Sequence, residues 1–166
     1  MELTDQGITV ERVSEQDWRT LRDVRLRALA EAPQAFGSTL ERELAFDEST
    51  WRERAAAGRT FLALRAGQVV GLAGYYVEPG HEDERQLVSM WVDPYARGSG
   101  AAALLVSAVR EAAAAEGART LTLFVADGND RARHLYERLG FRSTGERQAL
   151  PSDPLRGEER FALSLR

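Results

Sequence analysis

The sequence lacks cysteine altogether, and its 166 residues include only two histidines, His81 and His134. The absence of cysteine excludes disulfide bonds, thiolate metal sites and cysteine nucleophiles. The two histidines are too far apart in the sequence to suggest a metal-binding motif, so we expect no metal. The chain also has no apolar run of about 18 residues and no charged-then-apolar signal at its start. We therefore expect a cytoplasmic protein that does not associate with a membrane.

The chain also has fewer basic than acidic residues. The chain has 22 basic and 26 acidic residues, which give a net charge of −4, and it contains no basic block. We therefore expect no nucleic-acid partner. Hydrophobic residues make up 43% of the chain and charged residues 29%, as is typical of folded globular proteins. A chain of this length buries roughly 68–70% of its unfolded surface. We expect residues 1–166 to form a single domain.

Hydrophobic periodicity predicts an α/β protein. Strand 85–92, a helix over 99–116 and strand 120–126 form a strand–helix–strand unit, which requires a parallel, right-handed crossover. Hairpins predicted on either side add antiparallel strands, so we expect a mixed sheet with helices on both faces. The remaining predicted strands are 8–13, 60–65, 69–77, 141–150 and 158–166. The remaining predicted helices begin after Ser14, cover 48–57 and run from Asn129 to Leu139. Loops are predicted at 33–39 and 151–157.

The stretch WVDPYARGSGAAALLV, residues 91–106, places an arginine and two glycines where a strand leads into a helix. Gly98 and Gly100 permit positive φ and let a ligand approach the backbone, and Ala101 and Ala102 keep the first helical turn uncrowded. A helix N-terminus also presents unpaired N–H groups and the positive end of the helix dipole. This pattern predicts a site for a diphosphate group.

Two familiar phosphate sites fit this turn poorly. A Walker A loop needs a lysine and a spacing that the turn lacks. Gly98, Gly100 and Ala103 match the dinucleotide fingerprint G-x-G-x-x-G/A, but residues 93–97 separate them from the strand, whereas the fingerprint follows its strand at once. A dinucleotide-binding oxidoreductase is therefore the less favoured alternative.

A third pattern uses more of the sequence. Residues 97–102 fit Q/R-x-x-G-x-G/A after Val92-Asp93-Pro94, and residues 129–141 read Asn-x-x-Ala-x-x-x-Tyr-Glu-x-x-Gly-Phe. The two segments resemble, in order and spacing, the motifs of the GCN5-related N-acetyltransferases (GNAT), and the similarity is strong over residues 85–146. The resemblance implies a mixed, mostly antiparallel sheet of six to seven strands with a central parallel pair, flanked by about four helices. It also implies acetyl transfer from acetyl-CoA to an amine by direct attack in a ternary complex.

The resemblance assigns acetyl-CoA binding to both motifs and to the strand before the turn, whose residues would line the groove for the pantetheine arm. Asn129 has a second interpretation, because asparagine is also a good helix cap, and Arg97 could equally brace its loop. The residues that we expect to bind acetyl-CoA are Met90, Trp91, Val92, Arg97, Gly98, Ser99, Gly100, Ala101, Ala102, Asn129, Ala132 and Tyr136.

Tyr136 is the candidate general acid for the leaving thiolate, because it matches the tyrosine of the family motif. The sequence leaves the general base open. Many family members carry a carboxylate on the strand that corresponds to 85–92, where this chain has Gln86 and Ser89. We take Glu82 and Glu84 as the candidate bases, acting through a water, with His81, Glu41 and Glu43 as further alternatives.

The missing strand carboxylate also supports a second class of function, a module that binds acyl-CoA without transferring the acyl group, such as a sensor. The acceptor is open too: a small-molecule amine and a peptide amine both fit. We expect loops 33–39 and 151–157 to take part in its recognition. A C-terminal strand at 158–165 is suited to pairing across subunits, so a homodimer is a further expectation.

Overall fold

The computed structural model describes residues 7–166, and its elements follow the predicted order. The strands are β1 Ile8–Arg12, β2 Thr60–Arg65, β3 Gln68–Tyr76, β4 Glu84–Val92, β5 Thr120–Ala126, β6 Arg142–Leu150 and β7 Asp153–Ser164. The α-helices are α1 Trp18–Glu31, α2 Leu40–Leu44, α3 Glu48–Ala56, α4 Ala101–Ala115 and α5 Asp130–Arg138.

The strands have the order β1-β2-β3-β4-β5-β7-β6. β4 and β5 run parallel, whereas the pairs β1–β2, β2–β3, β5–β7 and β6–β7 are antiparallel. The parallel pair is the one that α4 connects, as the strand–helix–strand pattern requires. The predicted mixed, mostly antiparallel sheet is therefore confirmed.

The described residues divide into two compact units. The first unit contains the residues up to Tyr75 together with Val88–Val109, and the second contains Tyr76–Leu87 together with Arg110–Arg166. β4 and α4 each contribute residues to both units. The expectation of a single domain stays a prediction.

The core of the first unit is built on α1. Its buried residues recur every three or four positions up to Ala28, with Leu29 beside it, which places them on one helix face. Each of the larger ones contributes about 1.5–3 kcal/mol by leaving water, and truncating Leu29 to alanine would cost about 2–5 kcal/mol. The buried face and its partners are Trp18, Leu21, Val24, Ala28 and Leu29 of α1, Phe36, Trp51 of α3, Leu62 of β2, Leu72 of β3 and Trp91 of β4.

The start of α1 follows the predicted capping pattern. Ser14 donates its backbone N–H to Oδ2 of Asp17 at 2.9 Å, and the two residues form a capping box around a 3₁₀ turn that leads into the helix. The prediction missed α2. This helix has only five residues. It is preceded by its N-cap Thr39, whose Oγ1 accepts the N–H of Arg42 at 3.1 Å. Hydrophobic periodicity does not reveal a helix that short.

The second unit corrects the predicted loop at 151–157. β7 begins at Asp153, so only Pro151 and Ser152 form the turn between β6 and β7. Antiparallel strands need no more than a two-residue connection. Pro154 is tolerated in the strand because the ladder with β5 covers only Glu158–Ser164, so its missing N–H costs no bond on that side. The turn-forming composition of this segment was therefore misleading.

No helix within residues 7–166 combines the length and the apolar character that a membrane crossing requires. The same residues contain no group of three or more histidine, aspartate or glutamate side chains placed to hold a metal ion.

Candidate functional site

The turn before α4 adopts the conformation for which its glycines are suited. Asp93 caps a 3₁₀ turn over Pro94–Ala96 by accepting the N–H of Tyr95 at 3.0 Å. The chain then reverses through Gly98 at φ 82° and Gly100 at φ 90°. Residues with a Cβ rarely adopt these angles, so the two glycines are required by the backbone path.

The turn before α4 presents backbone N–H groups that can donate hydrogen bonds. Within residues 7–166, no acceptor contacts the backbone N–H groups of Gly98, Gly100 and Ala102, whereas the buried Ser99 uses its Oγ to accept the N–H of Ala101 at 3.3 Å. Free N–H groups at the N-terminus of a 15-residue helix form an anion site, to which the helix dipole adds about 0.3–1 kcal/mol. The binding of a diphosphate at this turn stays a prediction.

Arg97 braces this turn. Its Nη2 lies 3.1 Å from Oε1 of Glu31, and its Nε donates to the carbonyl oxygen of Val92 at 3.3 Å. Trp91 donates its indole N–H to the same carboxylate at 2.8 Å. Glu31 at the end of α1 therefore ties the turn and the end of β4 together. The expected contact of Arg97 with acetyl-CoA stays a prediction.

The part of β4 in the first unit carries an irregularity at Ser89, which has a φ of 58°. Non-glycine residues with positive φ are uncommon and strained. Nη1 of Arg25 donates to the Oγ of Ser89 at 2.6 Å. A serine in this conformation is therefore tied to α1, directly before Met90 and the buried Trp91.

Arg25 belongs to a buried ion pair that the sequence did not indicate. Its Nε and Nη2 donate to the two carboxylate oxygens of Glu43 at 2.9 and 3.0 Å, and the Glu43 side chain is 0% exposed. Burial alone would raise the pKa of Glu43, but the hydrogen bond and charge of Arg25, helped by Ser38 and Arg54, hold that pKa below its ordinary value. A carboxylate held in this way is a poor base, so Glu43 serves as an anchor.

In the second unit, Asn129 caps α5: its Oδ1 accepts the N–H of Ala132 at 3.2 Å. Tyr136 is 6% exposed and meets the ring of Phe141 edge-on, with the ring centroids 5.7 Å apart. Burial raises the pKa of the Tyr136 hydroxyl well above its ordinary value. This hydroxyl is therefore protonated at neutral pH and is a donor.

A cavity of about 330 Å³ also lies in the second unit. Its floor includes residues from the short parallel ladder that pairs Glu84 with Thr120 and Gln86 with Thr122. The lining is polar with two aromatic rings and consists of Tyr76, Glu78, His81, Glu84, Gln86, Thr122, Phe124, Glu146, Gln148 and Arg160. The sequence did not reveal this cavity, because its residues come from several strands and a loop that are distant in the chain.

The candidate bases differ in their surroundings. Glu84 lines the cavity, but Nη2 of Arg160 donates to both of its carboxylate oxygens at 3.0 Å. Glu82 lies on the exposed loop before β4, where a hydrogen bond from the N–H of Gly80 at 3.0 Å lowers the pKa of its carboxyl. His81 lines the cavity.

The predicted residues thus fall into two sets. The turn residues 97–102 and Met90–Val92 lie in the first unit, whereas Asn129, Ala132 and Tyr136 lie in the second, together with the candidate bases Glu82 and Glu84.

The model of the Acetyltransferase (GNAT) family matches residues 23–141. Among solved structures, the chain is similar to yncA from Salmonella typhimurium with its cofactor acetyl-CoA, with a TM-score of 0.77 and 17% identity over 96% of this chain and 95% of that one. A GNAT-family acetyltransferase from Streptococcus pneumoniae gives 0.77 and 19% identity over 95% and 98%. An N-acetyltransferase from Staphylococcus aureus Mu50 gives 0.73 and 20% over 96% and 99%. No curated protein sequence matches.

Proposed function

The chain belongs to the GNAT family of acetyltransferases, and from that premise we propose that it transfers the acetyl group of acetyl-CoA to an amine while both are bound. The single observation that carries this proposal is the turn before α4, in which the N–H groups of Gly98, Gly100 and Ala102 have no acceptor among residues 7–166. These donors fit the diphosphate of coenzyme A. Bound there, acetyl-CoA supplies the acetyl group as a thioester.

We assign the remaining contacts by the family motifs. The turn residues Arg97–Ala102 hold the diphosphate, and the main chain of Met90–Val92 holds the pantetheine arm. Asn129 caps α5 and, with Ala132 and Tyr136, completes the predicted set. The side chain of Trp91 on β4 is buried. This burial is compatible with binding of the pantetheine arm, because the contacts that we propose for β4 are made by the backbone.

In the proposed reaction, the amine nitrogen bonds to the acetyl carbon and the carbon–sulfur bond breaks. The nitrogen gives up one proton, and the sulfur departs with the bonding electrons and takes up one proton, so no further reactant is required. We assign the proton for sulfur to the hydroxyl of Tyr136, because Tyr136 matches the tyrosine of the family motif and its hydroxyl is protonated at neutral pH.

We assign the proton from the amine to His81. Histidine is the side chain that ordinarily exchanges protons near neutral pH, and His81 lines the cavity of the second unit. Both carboxylate oxygens of Glu84 accept hydrogen bonds from Arg160, and the hydrogen bond from the N–H of Gly80 lowers the pKa of Glu82. Glu82 and Glu84 remain the alternatives.

Acetyl-CoA binding is tested with two matched glycine variants. Gly98, at φ 82°, and Gly67 in the β2–β3 turn, at φ 78°, both have open space where a Cβ would lie, with no other atom within 4 Å. Glutamate at either position therefore causes similar strain, but only Gly98→Glu places a carboxylate at the diphosphate site. We expect acetyl-CoA to raise the melting temperature of the wild type and of Gly67→Glu, and to leave Gly98→Glu unshifted. An equal shift in both variants would contradict the site.

The proton assignments are tested by free-thiol release with an amine panel. We expect Tyr136→Phe and His81→Gln to lower kcat by about 10²–10⁴-fold each, with the thermal shift by acetyl-CoA unchanged. Glu82→Gln and Glu84→Gln should retain most of the activity. The reverse ranking would return the role of base to a glutamate.

The absence of an unpaired carboxylate on β4 favours one second candidate, a module that binds acyl-CoA without transfer. It requires tight binding of coenzyme A and no thiol release with any amine. One productive amine rules it out.

A further inference from the structure

The charges that line the cavity of the second unit are unbalanced. Its lining contains three carboxylates, those of Glu78, Glu84 and Glu146, and one guanidinium, that of Arg160. With His81 left out of the count, their formal charges sum to −2. Arg160 is committed to Glu84, since its Nη2 lies 3.0 Å from both carboxylate oxygens. Its Nε lies 3.8 Å from the nearer carboxylate oxygen of Glu146. Glu84 and Glu146 therefore share one guanidinium, and the net charge of the lining stays negative.

Three further features of the lining suit a cationic ligand. Within residues 7–166, no donor contacts the carboxylate of Glu78, and the side-chain amide of Gln86 has no hydrogen-bond partner. The cavity also includes the rings of Phe124 and of Tyr76, which is 46% exposed. Aromatic rings attract ammonium groups. The lining therefore combines carboxylates, a side-chain amide and aromatic rings around one concave volume.

The size of the cavity limits the ligand. A volume of about 330 Å³ suits a small organic molecule. This volume is at the lower end of the usual range for ligand pockets.

The carboxylates also restrict which part of the ligand they hold. An amine must be neutral to attack, and a nearby carboxylate stabilises the protonated form. Glu78 and Glu146 would therefore slow the reaction of an amine that they bind directly. They suit a second ammonium group, one that stays charged while the first amine reacts.

We propose that the acceptor is a small organic molecule with at least two amino groups, one of which stays protonated against Glu78 and Glu146 while the other accepts the acetyl group. This inference rests on the proposed acetyltransferase function and specifies its substrate class. The first amine forms the bond to the acetyl carbon and gives its proton to His81, as in the reaction above, and the second ammonium is unchanged.

The test compares 1,4-diaminobutane with 4-amino-1-butanol, which has the same length and a neutral hydroxyl in place of the second amine. We expect kcat/KM for the diamine to exceed that for the amino alcohol at least tenfold, and this ratio to fall at high salt. In the double variant Glu78→Gln/Glu146→Gln the ratio should approach one. Glu53→Gln/Glu111→Gln, which removes two exposed glutamates outside the cavity lining, should keep the wild-type ratio.

Calorimetric titration of both amines in the presence of coenzyme A gives a readout that does not depend on turnover. Equal affinity and equal kcat/KM for the two amines in the wild type would overturn the inference while leaving acetyl transfer intact. A diamine preference that survives in the Glu78→Gln/Glu146→Gln variant would overturn it too. Absence of thiol release with every amine would instead overturn the proposed function, and the calorimetric comparison would still decide whether the cavity selects diamines.

Discussion

Each unit of the molecule contains an arginine that binds both oxygens of a glutamate, and the two pairs differ in burial. In the first unit, Arg25 uses two nitrogens to bind Glu43, whose side chain is 0% exposed. In the second unit, Arg160 uses one nitrogen to bind Glu84, whose side chain is 29% exposed. In these two pairs, the same chemistry therefore occurs inside the protein and on the wall of an open cavity.

This difference separates a structural role from a functional one. A buried carboxylate that loses its partner leaves an uncompensated charge in a medium that solvates it poorly. A carboxylate that water can reach loses little when its partner is removed. Arg25 and Glu43 fix the first unit, whereas Arg160 and Glu84 set the charge of a surface that remains open to a ligand.

The largest expected effect comes from Glu43→Gln. This change leaves the guanidinium of Arg25 without its counter-charge in the interior, and we expect the free energy of unfolding to fall by about 3–5 kcal/mol. Urea denaturation of the variant and the wild type measures this difference. Glu48→Gln is the matched control, since Glu48 forms an exposed pair with Arg52 at 2.8 Å that contributes about 0.3–0.5 kcal/mol. Similar losses in both variants would contradict the distinction by burial.

Replacing Ser89 tests the other end of the same network. Ser89→Ala removes the acceptor of Arg25 Nη1, and a hydrogen bond to a charged group contributes about 1.5–3 kcal/mol. Ser89→Gly removes the same bond but relieves the positive φ, so we expect a loss smaller by about 1 kcal/mol. Ala66→Gly, at a φ of 52° in the β2–β3 turn, reports the relief of strain alone. A glycine variant at position 89 as unstable as the alanine variant would show that the strain there is negligible.

Acid titration sharpens the comparison further. The pKa of Glu43 is lower in the folded protein than its ordinary value of 4.5, so the folded state binds this proton more weakly than the unfolded state. The pair therefore stabilises the protein fully above about pH 4.5, and the contribution is lost as the pH falls through the folded pKa. We expect the stability difference between the wild type and Glu43→Gln to narrow below about pH 4.5. A difference that stays constant down to about pH 3 would contradict this linkage.

The features that were predictable from the sequence are local ones. The glycine turn at 98–100 and the capped helix after Asn129 each depend on residues within a few positions of one another. The Arg25–Glu43 pair spans 18 residues and the Arg25–Ser89 bond spans 64, and no periodicity connects such positions. The same holds for the cavity, where residues of the 76–86 segment meet Glu146 and Arg160. The loop prediction for 151–157 was wrong because its turn-forming residues are paired in a hairpin that only the partner strand reveals.

The smallest expected change in stability comes from Glu84→Gln, the counterpart of Glu43→Gln in the second unit. Because Glu84 is partly exposed and water can solvate Arg160 in its place, we expect the free energy of unfolding to fall by no more than about 1 kcal/mol. The variant nevertheless makes the cavity less negative by one charge, so its preference for a diamine over the amino alcohol should weaken without being lost, because Glu78 and Glu146 remain. Urea denaturation and the kcat/KM ratio for the two amines measure these effects in the same preparation. A loss of several kcal/mol would place Glu84 with Glu43 as part of the scaffold, and the contrast between the two pairs would then have to be explained by something other than burial.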